Sequence, residues 1–528
     1  MTRATRGTRL AAAGAGVAAA VLGAGVGELT AALIAPGASP FAAIGSALID
    51  FAPSWAKETA IALFGTNDKI ALLIGIGIVL VAVAAAAGLV ELRWPPFGLA
   101  IMIAFGGVGV LAAMTRANAG QFDWVPSLLA GILAAVALNM LIARLPSRAR
   151  TPVAAQSGAD AAPPVAAAPD PAVARRTFLA WTLGTAAVGV LATVGSSLAR
   201  AGSQAVAVVR DALKLPAPAT PAAPVPAGAE LGITGLDPVV TPNDRFYRID
   251  TALIVPQVDP SDWSLRIHGM VENEVTITWD ELLALPLEES YTTLACVSNP
   301  VGGDLIGNAL WLGYPIRDLL ARAVPTADAD MVLSTSIDGF TASSPIEALT
   351  DGRNAILAVG MNGEPLPAEH GFPVRMVVPG LYGYVSATKW VTELEVTRFD
   401  AVTAYWTTRG WSERGPIKLQ SRIDVPKRQQ GMKAGESVIA GVAWQQHVGV
   451  STVEVQIDEG DWQQATLATA ISDDTWVQWS IPWTATVGDH LIRCRATSAS
   501  GEVQTEEVSR TDPDGATGWH ERFITVFA

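Results

Sequence analysis

The stretch LACVSNPVGGDLIGNALWLG (294–313) holds Cys296, one of only two cysteines in 528 residues. A soft thiolate suits a transition metal. One cysteine alone cannot hold zinc or an iron–sulfur cluster, because those sites take about four ligands. It could complete a metal whose other ligands come from a cofactor. The residues that follow fit a large polar ligand. Ser298, Asn299, Asp304 and Asn308 supply polar side chains, and Gly302 and Gly303 allow close backbone approach. The plainer reading, a buried thiol that acts as a small hydrophobe, suits Cys494 in HLIRCRATSA. Pairing the two would need two different domains to meet, and a protein of this size needs no disulfide.

Cys296 lies in the acidic part of a two-part chain. Residues 1–200 carry 13 Lys and Arg against 8 Asp and Glu, net +5; residues 201–528 carry 22 against 41, net −19. Half of all residues are hydrophobic. A basic, apolar front and an acidic, polar back suggest a membrane domain followed by a soluble one. The acidic part argues against nucleic-acid binding. Four apolar runs, at 10–35, 70–90, 97–114 and 125–145, and a fifth at 178–199, each have about the ~20 residues that cross a bilayer. Arg3, Arg6, Arg9, Arg93, Arg144, Arg148, Arg150, Arg175 and Arg176 fall on one side, against Lys57, Lys69 and Arg116 on the other. That bias places the N-terminus in the cytoplasm and everything after Arg200 outside it. Every histidine lies at or beyond His268, so the membrane part can hold neither a bis-His haem nor a thiolate metal site. Glu28 is an intramembrane carboxylate, either functional or reaching the interface. Gly106, Gly107 and Gly109 read as helix-packing positions.

Residues 147–173 are rich in Ala and Pro without apolar periodicity and read as a disordered cytoplasmic linker. Arg175-Arg176-Thr177-Phe178-Leu179 then precedes an apolar run, as in a twin-arginine export signal; two positive-inside arginines before an ordinary span are the alternative. A folded domain carrying a cytoplasmically inserted cofactor would need such a route. Ala199-Arg200-Ala201 has the small-x-small form of a cleavage site. Residues 201–236 form a second Pro/Ala spacer. From 237 to 405 the pattern mixes strands, such as 331–334 and 374–378, with helical spacing at 280–284 and 316–323. From about 415 onward it is nearly all β, with strict alternation at 453–457, and reads as a β-sandwich.

Taken together, LACVSNPVGGDLIGN, RFYRIDTALIVP (245–256), MNGEPLPAEHGFPVRMVVPG (361–380) and TKW (388–390) resemble the molybdenum-cofactor domain of the sulfite oxidase family, here in a membrane-anchored bacterial form. GVAWQQHVGVSTVEVQIDEGDWQQATL and the closing WHERFITV resemble that family's immunoglobulin-like dimerisation domain. The resemblance covers about 237–528. The expected fold is therefore multi-domain. An all-α transmembrane part comes first: four helices over 1–145, a linker over 146–173, and a fifth helix with the twin-arginine-like signal over 174–200. A linker over 201–236 follows. Then come an α+β molybdopterin domain over 237–405 and an all-β immunoglobulin-like sandwich over 412–528. In this family the metal is held by the pterin dithiolene, oxo groups and one cysteine thiolate, which implies Cys296 as the only protein ligand. His370 and Arg375 match the contacts to the pterin phosphate, and Thr388 and Lys389 a further contact to the cofactor tail. Tyr247 and Arg248 match the segment that lines the cofactor and, with Cys296, are the implied catalytic residues. Ser298, Asn299 and Asp338 complete the implied cofactor-binding set.

Three positions depart from the family's anion pocket. Phe340 stands in place of a tyrosine, and Leu310 and Ser480 in place of arginines. An arginine–oxyanion contact contributes about 1.5–3 kcal/mol, so their loss weakens binding of a small dianion. The expected function is oxygen-atom transfer. Sulfite is oxidised to sulfate and electrons pass to an external carrier such as a cytochrome, no haem being expected in the chain itself. Reduction of S- or N-oxides is the alternative. A cofactor-free surface-binding protein and a transporter with an exported sensor domain are alternatives of other classes.

Overall fold

The computed structural model describes residues 5–35, 38–53, 56, 59, 63, 68–116, 119–145, 171–199, 202–427 and 431–528. The chain divides into two compact units, Met1–Ala205 with Thr251–Ile254, and Val206–Asp250 with Val255–Ala528.

The first unit is helical: α1 (Arg6–Ile34), α2 (Pro40–Phe51), α3 (Asp68–Arg93), α4 (Phe97–Met114), α5 (Trp124–Ala143) and α6 (Pro171–Ala199). All but α2 are long and apolar enough to cross a membrane, by length and composition. The short α2 was not expected. Its start is fixed by Glu28, whose Oε1 accepts from Ser39 Oγ at 2.6 Å and from the Phe41 N–H at 3.3 Å. The buried carboxylate thus has a structural use. Gly106 of α4 and Gly131 of α5 face each other so closely that a Cβ on either would lie 2.8 Å from the other's Cα. Gly109 packs likewise on Ser127, whereas Gly107 has open space around it, so only two of the three glycines fit the packing role. Helix α6 begins at Pro171 rather than near 178 and takes in the exposed Arg175 and Arg176. Most of the expected cytoplasmic linker (146–170), and with it Arg148 and Arg150, lies outside the described residues, as do Arg3, Lys57, Arg200 and Ala201.

In the second unit the expected spacer over 201–236 is not free chain. It opens with α7 (Gly202–Ala212). Arg210 donates from Nε to the Leu366 carbonyl at 2.8 Å and from Nη2 to the Pro365 carbonyl at 2.9 Å. The Ala219 N–H donates to Leu287 (2.7 Å), the Glu289 N–H to Thr220 (2.9 Å), and the Leu231 N–H to Gln478 Oε1 (2.8 Å). Proline removes donors and so mimics a linker in composition. The donors that remain are tied to the unit.

Four sheets follow. The first has the order β2 (Val275–Thr278), β1 (Ser264–Gly269), β10 (Val391–Thr397), β5 (Met331–Ser336), β6 (Thr341–Pro345). The second runs β3 (Glu288–Ala295), β4 (Ile306–Pro315), β7 (Ile356–Met361), β8 (Glu364–Pro365), with β9 (Arg375–Val377) also on β7. The expected helices are present as α8 (Trp279–Leu283), opened by a Thr278/Glu281 capping box, and α9 (Ile316–Ala323). The last two sheets are β11 (Gln420–Val425), β13 (Gly435–Trp444), β17 (Val477–Ala485), β16 (Thr466–Leu467), and β12 (Met432–Lys433), β19 (His520–Phe527), β18 (Gly488–Ser498), β14 (Val450–Ile457), β15 (Gln463–Gln464). They share one core built on Ile423, Val453, Trp479, Ile492, Cys494 and Ile524. Cys494 is fully buried there, accepts from Ser421 Oγ at 3.3 Å, and is unpaired, as is Cys296. The two expected soluble domains, 237–405 and 412–528, form one compact unit. Trp479→Ala, at a fully buried position, should cost about 3–5 kcal/mol in urea unfolding of the second unit.

Candidate functional site

Cys296 is the first residue after β3. Its N–H donates to the Leu305 carbonyl at 2.9 Å, and the Asn299 N–H returns to the Cys296 carbonyl at 3.1 Å. Asn299 Oδ1 accepts from the Leu305 N–H at 2.9 Å, so that side chain builds the loop. Burial pushes the Cys296 thiol up, against hydrogen bonds from the Ser298 backbone and hydroxyl to the sulfur. Tyr247 stacks on Phe246, ring centroids 5.3 Å apart. Its phenol is pushed up by burial first, then by the facing Cys296, with Arg375 opposing. Tyr247 is thus within electrostatic reach of both the thiol and a cation.

Arg375 opens β9 and is 5% exposed. Its guanidinium lies 5.1 Å above the fully buried Trp311 ring. Its hydrogen bonds go to the carbonyls of His370 (3.1 Å), Met376 (3.3 Å) and Ala387 (3.4 Å), and it has no ion pair among the described residues. Burial pushes it down to about 10, so it stays charged at neutral pH. Lys389 forms a bridge with Arg375 just ahead of β10. Its Nζ donates to Asp250 Oδ2 at 2.6 Å and to the Glu369 carbonyl at 3.0 Å. The same carboxylate oxygen takes Arg248 Nε at 2.9 Å. Burial, outweighing Asp250, pushes Lys389 down to about 8. His370 Nε2–H donates to the Asn243 carbonyl at 3.2 Å, and the imidazole is pushed down to about 3 by burial, then by Arg375 and Lys389. It is neutral at physiological pH. Three cations thus face one another around a neutral histidine and one carboxylate. Burying such a net charge is costly unless an anion completes it.

The structure brings together Tyr247, Arg248, Cys296, Ser298, His370, Arg375 and Lys389. Thr388 lies beside them, its Oγ1 sharing a 2.7 Å hydrogen bond with Ser334 Oγ. Two more of the expected polar groups make hydrogen bonds within the fold, as Asn299 does. Asp338 Oδ1 accepts from the Phe340 N–H at 3.2 Å to shape the β5–β6 turn. Asn308 accepts from Thr293 Oγ1 at 3.1 Å and donates to the Val239 carbonyl at 2.7 Å. Of the altered positions, Phe340 faces Tyr405 at 5.7 Å, Leu310 lies on β4 opposite Tyr291, and Ser480 on β17 opposite Ala440. Asp250 was missed. Its signal was the acid two residues after Arg248 in RFYRID.

A family model of the oxidoreductase molybdopterin binding domain matches residues 252–406. An uncharacterized oxidoreductase of Bacillus subtilis is 31% identical over 157 residues, 30% of this chain and 76% of that protein. The chain belongs to the sulfite oxidase family of molybdopterin oxidoreductases. Sulfite oxidase of Gallus gallus is 27% identical over 318 residues, 51% of this chain and 69% of that one. The mitochondrial sulfite oxidase of Rattus norvegicus is 30% identical over 271 residues, 43% of this chain. The chain spans about half that relative's length (49%). The protein is an oxidoreductase of this family, and its cofactor is molybdenum–molybdopterin. The residues present fit that group. A phosphate monoester carries about −1.5 to −2 charge, which the excess cations of the cluster would balance, and the same compact unit supplies a buried, unpaired thiol at Cys296.

The His370 shift sets a pH dependence. Between about pH 3 and 6.5 the unfolded chain binds the proton and the folded one does not, so stability rises with pH across that window. Acidifying cofactor-free protein through it should lose on the order of 5 kcal/mol from this group, at about 1.36 kcal/mol per unit. His370→Asn should flatten that slope in denaturant titrations at pH 7 and pH 4.

Proposed function

We propose that the protein is a membrane-anchored, extracytoplasmic sulfite dehydrogenase that passes electrons to an external carrier. The observation that carries this is a buried, unpaired cysteine in the same compact unit as a buried cationic cluster that lacks matching acids among the described residues. Cys296 would be the only protein ligand to molybdenum. Arg375, Lys389, Thr388 and His370 would hold the pterin phosphate and tail, with Ser298 and Asn299 shaping the loop beside the metal. Asp338 would act only through its turn. When bound, the cofactor supplies two-electron oxygen-atom transfer chemistry.

The chain's own groups divide the remaining tasks. Tyr247, kept neutral by burial, is a hydrogen-bond donor rather than a base at neutral pH. Arg248 is 33% exposed, so of the cluster's three cations it is the one that can meet an anionic substrate. Asp250 orients both Arg248 and Lys389 through one oxygen. Five long apolar helices support membrane anchoring, and Arg175-Arg176 at the head of α6 supports a twin-arginine export route. The paired sheets over 420–527 support the immunoglobulin-like dimerisation reading. A second reading, reduction of S- or N-oxides, is favoured by Phe340, Leu310 and Ser480, which leave no cation at the three altered positions.

Sulfite-dependent ferricyanide reduction by the molybdenum-loaded chain tests the first reading. Turnover should fall to background in Cys296→Ser. Arg375→Met should retain the cofactor about 10- to 100-fold less well, from losing a contact of about 1.5–3 kcal/mol. Absence of sulfite turnover, with reoxidation of the reduced metal by a neutral oxide, would move the function to the second reading.

A further inference from the structure

The C-terminal pair of sheets touches the cysteine segment at both ends. Strand β3 is an edge of its sheet. On the side away from β4, the Thr293 N–H donates to the Asp474 carbonyl at 3.0 Å, and the Thr293 carbonyl accepts from Gln446 Nε2 at 3.0 Å. The Thr293 hydroxyl also accepts from the Trp476 N–H at 2.9 Å. An open strand edge is thereby capped three residues before Cys296. At the far end, Arg422 of β11 donates from Nη1 to the Gly303 carbonyl at 2.9 Å. Its side chain is 4% exposed, and its other nitrogens are held by Asp424 at 2.6 Å and Asp237 at 2.5 Å. The guanidinium therefore has little freedom to move. Next to it, Gly302 has φ +74°, and a Cβ there would lie 2.3 Å from the His520 imidazole. That ring is fixed in turn by the Ile423 N–H at 2.9 Å. None of these groups belongs to the cofactor-binding set.

We infer that the C-terminal sheets are a positioning device for the metal ligand. Arg422 and the groups on Thr293 clamp the segment 293–303 so that the Cys296 sulfur is presented at a fixed place. The inference rests on the reading of Cys296 as the molybdenum ligand. A hydrogen bond to a ligand-bearing loop sets ligand orientation, and losing such support typically costs 10–100-fold in metal affinity. Arg422 and Gln446 are positioning residues and touch no reacting atom.

The test uses the molybdenum-loaded full chain. It reads the electron paramagnetic resonance spectrum of the singly reduced metal, the rate of molybdenum loss on dialysis, and thermal unfolding. Arg422→Gln should shift the spectrum and release metal about tenfold faster. Arg422→Lys, which can still donate to Gly303, should restore most of the wild-type spectrum. Gln446→Ala, a milder change at the other end, should shift the spectrum in the same sense and covers the case of an Arg422 variant that does not fold. Arg495→Gln, whose partners are Glu454, Trp462 and Trp519 within the same sheets, should leave the spectrum unchanged. A wild-type spectrum in Arg422→Gln and Gln446→Ala, whatever their stability, would overturn the clamp. If Cys296→Ser shifts the spectrum and they do not, the clamp alone fails. If Cys296→Ser also keeps the wild-type spectrum, the ligand reading fails with it.

Discussion

A buried guanidinium without a carboxylate partner organises the second unit. Arg375 is stacked on Trp311 and, among the described residues, hydrogen-bonded only to backbone carbonyls, which stabilise its N–H groups but leave its charge unbalanced. Lys389 and Arg248 add two more cations, and Asp250 answers for one. Burial first, and then the same field, keep His370 neutral. A proton there would meet three positive neighbours, so the imidazole serves as a hydrogen-bonding wall. The site is thus built for an anion, and binding one couples to the stability of the whole unit.

The sheets deliver these groups from far apart in sequence. Cys296 comes from the end of β3 and Arg375 from the head of β9, two strands of one sheet. Lys389 comes from the turn into β10 of another, and Tyr247 and Arg248 from the chain ahead of β1. The groups sit at strand ends and in short loops, where the scaffold is rigid and the side chains are not needed for the core. The C-terminal sheets complete the arrangement from outside by capping the free edge of β3 and holding the loop that follows it. Loops that carry ligands are mobile unless braced, and Arg422, locked between Asp237 and Asp424, is a stiff brace.

The sequence made some of this legible and hid the rest for identifiable reasons. Apolar length revealed the five long helices, because each is a run of the ~20 apolar residues that such a length criterion detects. It did not reveal α2, whose start depends on Glu28 reaching from α1 to Ser39. Alternation found β14, and helical spacing found α9 to the residue. Composition misread 201–236 as a spacer, since proline content says nothing of the Ala219 and Leu231 contacts that bind it down. At the site, Cys296 and the cations stood out by rarity and motif. Asp338 and Asn308 were polar in the right places, yet their bonds close a turn and a strand pair. Asp250 left a local trace beside Arg248, but its link to Lys389, and those of Arg422 to Asp237 and Gly303, are long-range and no local pattern encodes them.

Under the proposed function, the three altered positions, Phe340, Leu310 and Ser480, would leave substrate choice to Arg248 and the aromatic surroundings, whereas metal binding would depend on Cys296. The central claim is that this cysteine is the protein's one ligand to molybdenum. The most direct measurement is molybdenum K-edge X-ray absorption on the loaded full chain and on Cys296→Ser. The account predicts that the variant keeps the two pterin sulfurs and loses one metal–sulfur scatterer. An unchanged sulfur shell would contradict it and would return Cys296 to the role of a buried structural thiol.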